Sequence, residues 1–196
     1  PTVDAPYGLK PINLVGGQVF AGATRQIPIA SGYDTNLLNG DLVKLIADGT
    51  LEKDAGTATA TPVGVFLGCK YTDPNLGYEL YSQYFPANTA ADDIVAYVAD
   101  DPDQLYKVAV VSGTTVIAGV GRTVVGNNVS LVQNAGSTAT GNSKVAVLST
   151  SAATTNTLPI RVIDVVAETA TAADTYVELV VKFNWGMHQY QNATGV

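Results

Sequence analysis

Short runs of apolar, β-branched and aromatic residues recur along the chain, separated by Gly, Pro, Asn and Asp. The run around which the others are arranged covers residues 40–71. An Asp48-Gly49 pair between two apolar runs predicts a hairpin with a type I′ turn, because both central residues of that turn need positive φ. The stretch therefore predicts three consecutive antiparallel strands, a meander, with Gly64 and Gly68 marking bulges in the third strand.

Further runs of the same kind predict more strands. They cover residues 25–30, 78–85, 94–99, 105–111, 114–118, 122–125, 129–132, 144–148, 158–166 and 176–183. Pro28 places the first of these strands at a sheet edge, because proline cannot donate to an interior ladder. No stretch of about ten residues or more has the periodicity of an amphipathic helix. The pattern predicts an all-β fold, an antiparallel β-barrel or sandwich.

The chain is predicted to have three parts: an N-terminal arm (residues 1–24), an antiparallel β domain (25–183) and an irregular C-terminal tail (184–196). Two β subdomains that divide near residue 113 are the alternative for the middle part. Proline and glycine near the N-terminus predict an extended arm rather than a folded element. The arm also has apolar residues, so it docks either on its own domain or on a partner. On the partner hypothesis, removing residues 1–17 should leave the fold intact and weaken assembly.

Charge and composition restrict the classes of function. Hydrophobic residues make up 46% of the 196 residues, but charged residues only 14%, with a net charge of −7 and a pI of 4.4. Lys and Arg are scattered singly, which argues against direct binding of nucleic acid. No apolar run approaches the ~20 residues of a membrane span, and we expect no secretory signal. A neutral, Thr-rich β surface risks edge-to-edge association unless its edges are paired within an assembly.

Candidate chemistry is sparse, and we predict no catalytic residue, metal site or cofactor. His188 is the single histidine and Cys69 the single cysteine, which is too few for a structural zinc site, and the thiol is expected in the core. The acidic residues at 100–103 lack the spacing of an EF-hand loop and predict a solvated turn. Residues 136–143 have the glycine spacing of a phosphate-binding loop, but Asn142 replaces its lysine and a β pattern follows. We interpret this segment as a hairpin loop.

Aromatic and apolar side chains are the strongest candidates for contact with a partner. Tyrosine, which occurs 10 times, is amphipathic and enriched at interfaces. The richest aromatic stretches are residues 71–85 and the tail. For each group, core packing and partner contact stay equally open. The candidate interface residues are Tyr7, Leu9, Ile12, Tyr71, Tyr78, Tyr81, Tyr84, Phe85, Trp185, His188 and Tyr190.

Several segments resemble a group of small virion proteins. They are Ala5-Pro-Tyr-Gly-Leu-Lys-Pro-Ile, Ile29-Ala-Ser-Gly-Tyr-Asp-Thr-Asn, Gly40-Asp-Leu-Val-Lys-Leu, Val63-Gly-Val-Phe-Leu-Gly-Cys with Tyr71-Thr-Asp-Pro, and Val95-Ala-Tyr-Val-Ala-Asp-Asp-Pro-Asp-Gln. The likeness is clearest over residues 5–105. It is to the capsid decoration or cement proteins of tailed double-stranded DNA phages that infect aquatic bacteria, including cyanobacteria.

The resemblance implies a structural virion protein rather than an enzyme. Such a protein is made in the host cytoplasm, binds the major capsid protein on the outer surface of the expanded capsid and cements neighbouring capsomers. It also implies a homo-oligomer, with a trimer favoured over a dimer, and no cofactor. Two other hypotheses remain. One is a carbohydrate-binding or host-surface-binding module that uses exposed Tyr and Trp185. The other, with the least support, is a hydrolase built on Asp100, Asp101 and Asp103.

Overall fold

The computed structural model describes residues 6–169 and 176–196. Within them the fold is all-β, as the sequence predicts, and the helical residues form short 3-10 turns at Arg122–Val124, Ala167–Thr169 and Gln189–Gln191. The strands are β1 Lys10–Leu14, β2 Arg25–Pro28, β3 Leu42–Leu45, β4 Leu51–Lys53, β5 Gly64–Thr72, β6 Glu79–Ser82, β7 Val95–Ala99, β8 Gln104–Val111, β9 Asn128–Val129, β10 Leu131–Val132, β11 Ala146–Leu148, β12 Ile160–Val165 and β13 Glu178–Phe183.

The first sheet is a nearly closed barrel. Its strand order is β10-β11-β8-β13-β12-β9, and β1 also pairs with β8. Because only Ser130 separates β9 from β10 along the chain, the two ends of this order meet. The described strand pairs of the barrel are antiparallel, apart from the parallel pair of β11 and β8. Aliphatic side chains fill the barrel together with Tyr106 and Phe183, whose ring centroids lie 5.2 Å apart.

The second sheet packs against the barrel and shares side chains with its core. Its order is β2-β7-β5-β3-β4, with β6 on the free part of β5. Successive residues of a strand face opposite sides of a sheet. Accordingly Val65 and Ala99 belong to the barrel core, whereas their neighbours Phe66 and Val98 belong to a second core. The middle of this sheet is therefore covered on both faces.

The predicted meander over residues 40–71 has the right strands but the wrong order. β3 pairs with both β4 and β5, so it lies between them. The spacer after β4 folds around the Asp54 carboxylate, which accepts the backbone N–H groups of Gly56 and Thr61. This loop carries the chain past β3, so β5 starts on the side of β3 opposite β4.

The hairpin turn at Asp48-Gly49 is present, but it is not of type I′. Gly49 has a φ of 82°, whereas Asp48 does not have positive φ. The Gly49 N–H donates to the Ile46 carbonyl, and the Ile46 N–H donates to the Thr50 carbonyl. This pattern is typical of a type I turn followed by a left-handed glycine bulge. Of positions 48 and 49, only position 49 has positive φ, so glycine is required there alone.

Most of the other predicted strands are present with shorter bounds. The prediction for residues 122–125 is wrong, since this segment is a 3-10 turn. The segment 114–118 contributes only an isolated bridge between Ile117 and Val111. The change from the second sheet to the barrel falls between β7 and β8, at residues 100–103, rather than near residue 113.

Both chain ends belong to the fold, which corrects the predicted arm and tail. β1 pairs with β8, and Leu9 is fully buried in the barrel core. Removing residues 1–17 would delete a barrel strand and empty a core position, so we no longer expect the fold to survive it. In the tail, the Gln189 side chain donates to the Leu45 carbonyl and accepts the Leu45 N–H, at 2.9 and 2.7 Å. This pair of bonds fastens the tail to β3.

A buried carboxylate joins the two sheets. Asp41 is fully buried and accepts three hydrogen bonds, from the Leu38 N–H at 3.0 Å, the Ser143 hydroxyl at 2.6 Å and the Lys53 ammonium at 2.9 Å. Leu38 precedes β3 and Lys53 ends β4 of the second sheet, whereas Ser143 precedes β11 of the barrel. The carboxylate therefore holds one sheet against the other.

The backbone around Asp41 is packed without space for side chains. The Leu9 N–H donates to the Gly40 carbonyl, and the Ser143 N–H donates to the Asn39 carbonyl. A Cβ atom on Gly8 would lie 2.7 Å from the Cβ of Ser143. The N-terminal segment can therefore pass this junction, and reach the barrel as β1, only with glycine at position 8.

We expect Asp41→Ala to lower the free energy of unfolding by about 3 kcal/mol. The substitution leaves the buried Leu38 N–H and Ser143 hydroxyl unpaired and removes the partner of the partly exposed Lys53 ammonium. Denaturant unfolding measures this change. Asp34→Ala is the matched control, since its carboxylate is exposed and bonds only to the adjacent Thr35 among the described residues. The control should change stability by less than about 0.5 kcal/mol. Equal losses in the two variants would show that Asp41 does not join the sheets.

Candidate binding surfaces

The described residues contain no cluster suited to a metal ion. In residues 6–169 and 176–196, no three His, Cys, Asp or Glu side chains are placed to hold one. Cys69 lies in the second core, and burial raises the pKa of its thiol to about 12. The thiol is therefore protonated at neutral pH and is a core residue, as the sequence predicts.

Each carboxylate of the 100–103 turn has its own partner. Asp100 accepts hydrogen bonds from the Arg25 guanidinium at 2.5 Å and the Tyr190 hydroxyl at 2.8 Å. Asp101 accepts the backbone N–H of Asp103, whose own carboxylate pairs with Lys182 at 3.0 Å. Asp101 and Asp103 are exposed, as expected for a solvated turn, whereas the Asp100 side chain is only 13% exposed. The three carboxylates therefore contact separate partners rather than one shared site.

The loop at residues 136–143 is a hairpin loop, as predicted. Ser137 and Asn142 form an isolated antiparallel bridge, and the next regular element is strand β11. The Ser143 hydroxyl, which a phosphate site would direct at a ligand, donates to buried Asp41. The two glycines have structural roles: a Cβ on Gly136 would lie 2.8 Å from the Asn142 carbonyl oxygen, and Gly141 has a φ of 68°.

Four candidate interface residues lie in the interior, which corrects their assignment. Leu9 is in the barrel core, Tyr71 and Phe85 are in the second core, and His188 is fully buried. Tyr71 and Phe85 contact each other edge to face, with centroids 6.4 Å apart. These side chains stabilise the chain itself and cannot reach a partner without unfolding.

Two candidates are half-buried. The Tyr7 hydroxyl donates to Glu178 at 2.5 Å, and Lys107 pairs with the same carboxylate at 3.4 Å. Burial, together with this hydrogen bond, raises the pKa of Tyr7. Tyr7 therefore fastens the N-terminal segment to β13 as a neutral donor. Tyr84 is also half-buried, and its carbonyl accepts the Ser82 hydroxyl.

The exposed candidates lie on separate elements. Tyr78 and Tyr81 are exposed on the β5–β6 hairpin, where Tyr81 is 68% exposed, and with Leu76 they form what we name the β6 surface. Ile12 is exposed on β1, next to the chain turn that carries Val15 and Val19, and these three residues form the N-terminal hairpin surface. Trp185 and Tyr190 are exposed in the C-terminal segment.

Val15, Val19 and Leu76 were missed as surface residues by the sequence analysis. All three lie at or beside glycine-containing turns, where the chain reverses away from any core. An apolar residue at the tip of a turn is therefore the signal that could have found them. Val19 is 79% exposed, more than either of the exposed hairpin tyrosines.

A polar cleft of about 730 Å³ lies beside the 100–103 turn. Its walls include Arg25, Gln26, Asp101 and Tyr190. The Arg25 guanidinium lies over the Tyr190 ring, 5.8 Å from its centroid, and burial and Asp100 raise the pKa of Tyr190 to about 12. A smaller pocket of about 250 Å³ lies between Trp185, Arg161 and Lys182. Both sites are surface depressions that lack a convergent catalytic group.

His188 connects the C-terminal segment to the barrel core. Its ring lies between Phe183 and Tyr190, with centroid distances of 5.7 and 5.2 Å, and its Nδ1 accepts the Tyr190 N–H. Its Nε2 is buried and has no hydrogen-bond partner among the described residues. Burial lowers the pKa of His188, although Asp100 and Asp101 oppose this shift. The ring is therefore neutral in the folded protein at neutral pH.

We expect His188 to make the protein less stable as the pH falls. Below about pH 6.5 the unfolded chain binds a proton on this residue, whereas the folded chain does so only at lower pH. The free energy of unfolding should therefore drop by up to about 1.4 kcal/mol per pH unit below that value. His188→Asn keeps an acceptor for the Tyr190 N–H and removes the titration. Denaturant unfolding at several pH values should give a flatter profile for this variant, and parallel profiles would contradict the assignment.

No family model matches the chain, and searches of curated proteins and of solved structures find no match either. Among the described residues, no helix is both long and apolar enough to span a membrane.

Proposed function

We propose that the protein is a structural component of a phage virion, which binds the outer surface of the expanded capsid and cements neighbouring capsomers. The observation that carries this proposal is the separation of its exposed apolar side chains onto distinct elements: the β6 surface, the N-terminal hairpin surface and the C-terminal segment. A protein that bridges neighbours needs several contact surfaces, whereas an enzyme needs one convergent site. We propose the major capsid protein as the partner because of the resemblance over residues 5–105.

The distribution of charge supports the same role. Among the described residues, at least six of the ten Lys and Arg side chains form ion pairs with carboxylates of the same chain: Arg25, Lys53, Lys70, Lys107, Arg122 and Lys182. With a net charge of −7, the surface would not compete with the capsid for packaged DNA. Contact with a protein lattice through apolar side chains is the association that this surface favours.

Small contact surfaces are sufficient in a cement protein. A standard interface buries about 800 Å² on each partner. A surface made of a few exposed valines or tyrosines buries a smaller area. Two weak contacts on one rigid body act together, because the second contact forms at the high effective concentration set by the first. A rigid two-sheet body with contact surfaces on several elements has the geometry for such binding.

Co-sedimentation of the purified protein with expanded capsids, and with unexpanded shells as the comparison, tests the proposal. We expect saturable binding to the expanded form alone. The double variant Val15→Ser, Val19→Ser should bind at least about tenfold more weakly, because each valine loses about 1 kcal/mol or more of apolar burial. Val116→Ser is the matched control, since Val116 is exposed on another loop. No binding of the unaltered protein to either form would overturn the proposal.

The polar cleft favours a second candidate, a carbohydrate-binding module of the virion. An exposed aromatic ring beside Arg, Asp and Gln side chains can offer a sugar one stacking face and several hydrogen-bonding groups. On this hypothesis a glycan array should give hits that Tyr190→Ala abolishes and Trp185→Ala retains. An array without hits would remove this candidate and leave the capsid proposal untouched.

A further inference from the structure

The open edge of the second sheet is strand β6. Among the described residues β6 pairs with β5 alone, whereas β5 has β7 along its other side. An edge strand with free backbone groups is a template for pairing with another chain.

The hydrogen bonds around β5 identify the free groups. The Asp73 N–H donates to the Tyr78 carbonyl at 3.1 Å, and the Asp73 carbonyl accepts the N–H of the left-handed Gly77 at 2.8 Å. Asp73 and Tyr78 therefore occupy a hydrogen-bonded position of the ladder, closed by a glycine bulge. The Thr72 N–H instead donates to the Asp93 carboxylate at 3.0 Å, on the side of β7. Because hydrogen-bonded and non-bonded pairs alternate in an antiparallel ladder, Glu79 and Tyr81 direct their N–H and C=O groups away from β5.

The other two edges of this sheet are blocked. The outer edge strand β2 ends in Pro28, which has no N–H to donate. At the opposite edge, β4 has three residues, and its Lys53 N–H already donates to the Tyr33 hydroxyl at 3.0 Å. The edge of β6 has no such protection and carries the exposed ring of Tyr81.

We propose that β6 pairs antiparallel with β6 of a second copy of this chain, about a two-fold axis that passes through Leu80. In this register Glu79 of each copy lies opposite Tyr81 of the other. Both pairs are of the hydrogen-bonded type, so four backbone hydrogen bonds form across the axis. The second sheet of one molecule thereby continues into the second sheet of the other.

Charge and chain geometry select this register over its neighbours. If the two-fold axis moves by one residue toward the N-terminus, Glu79 lies opposite Glu79 of the second copy. Like charges directly opposite each other destabilise a sheet. If the axis moves by one residue toward the C-terminus, Glu79 lies opposite Gln83 of the second copy. Gln83 lies beyond the end of β6, and its side chain donates to Asn142. Each shifted register retains only the two hydrogen bonds at its axis.

Side chains complement the backbone pairing on both faces. On one face the Glu79 carboxylate pairs with Lys70 at 3.3 Å and accepts the Tyr81 hydroxyl of its own chain. In the dimer it would also meet the Tyr81 side chain of the second copy. On the other face the Leu80 side chains meet at the axis with Tyr78 beside them, which covers apolar surface that is otherwise exposed. The contact is short, so it belongs to the class of weak interfaces.

Disulfide trapping tests the register. Residues opposite each other in a non-hydrogen-bonded pair have Cα atoms about 4.5 Å apart, within the reach of a disulfide. Leu80→Cys should therefore form a covalent dimer under mild oxidation at protein concentrations of about 0.1–1 mM. Glu79→Cys should crosslink much more slowly, because its two Cα atoms would lie beyond about 7 Å. Val116→Cys, exposed on another loop, measures random collision.

Two substitutions at position 81 separate backbone pairing from loss of the ring. Tyr81→Pro removes an N–H that makes no bond within the described chain, so the fold should persist while crosslinking through Cys at position 80 falls to the level of the collision control. Tyr81→Ala keeps the N–H and should retain more crosslinking than Tyr81→Pro. Circular dichroism and denaturant unfolding confirm that each variant is folded.

The proposal is overturned if Leu80→Cys forms no dimer at the highest concentration, if Glu79→Cys crosslinks as fast as Leu80→Cys, or if folded Tyr81→Pro leaves crosslinking unchanged. If β6 pairs with a second copy, the N-terminal hairpin surface and the C-terminal segment are the surfaces that remain for the capsid. Capsid co-sedimentation of the Val15→Ser, Val19→Ser variant tests that contact without altering β6, so failure of one proposal is distinguishable from failure of the other.

Discussion

The buried carboxylate of Asp41 is the constraint on which the arrangement of the two sheets depends. A carboxylate without solvent needs hydrogen-bond donors from the protein, and the three donors to Asp41 come from the loop before β3, from β4 and from the segment before β11. Since the donors lie far apart in the sequence, the carboxylate can be satisfied only when both sheets are in place. The close passage of Gly8 against Ser143 adds β1 to the same junction.

That junction determines which surfaces are left for other molecules. The middle of the second sheet is covered by the barrel on one face and by its own core on the other, so its hairpins and edges are what remain accessible. The β6 surface lies at one such edge, and the N-terminal hairpin surface follows the strand that the junction places on the barrel. A rigid body with several contact points is therefore a consequence of how the two layers are fastened together.

Much of the fold was predictable, because strand formation depends on local patterns. Alternation of side chains and glycine or proline turns located most strands, and Pro28 placed β2 at an edge. The errors concern pairs of distant segments. The order of β3, β4 and β5 depends on the loop around Asp54. The predicted N-terminal arm contains a strand because β1 pairs with β8, which is distant in the sequence. Neither interaction leaves a periodic signal in the sequence.

The candidate interface residues show the same difference between what a local pattern predicts and what tertiary packing decides. Tyr71 and Tyr81 belong to similar aromatic β patterns on paired strands, yet one is 5% exposed and the other 68%. The sequence by itself determined an all-β chain with little charge, sparse chemistry and many aromatic residues, because composition and two-residue periodicity are local properties. Only the tertiary structure decided which of those aromatics face solvent, since Tyr71 is covered by Phe85, whose position is set by its bridge to Leu37 on a distant segment.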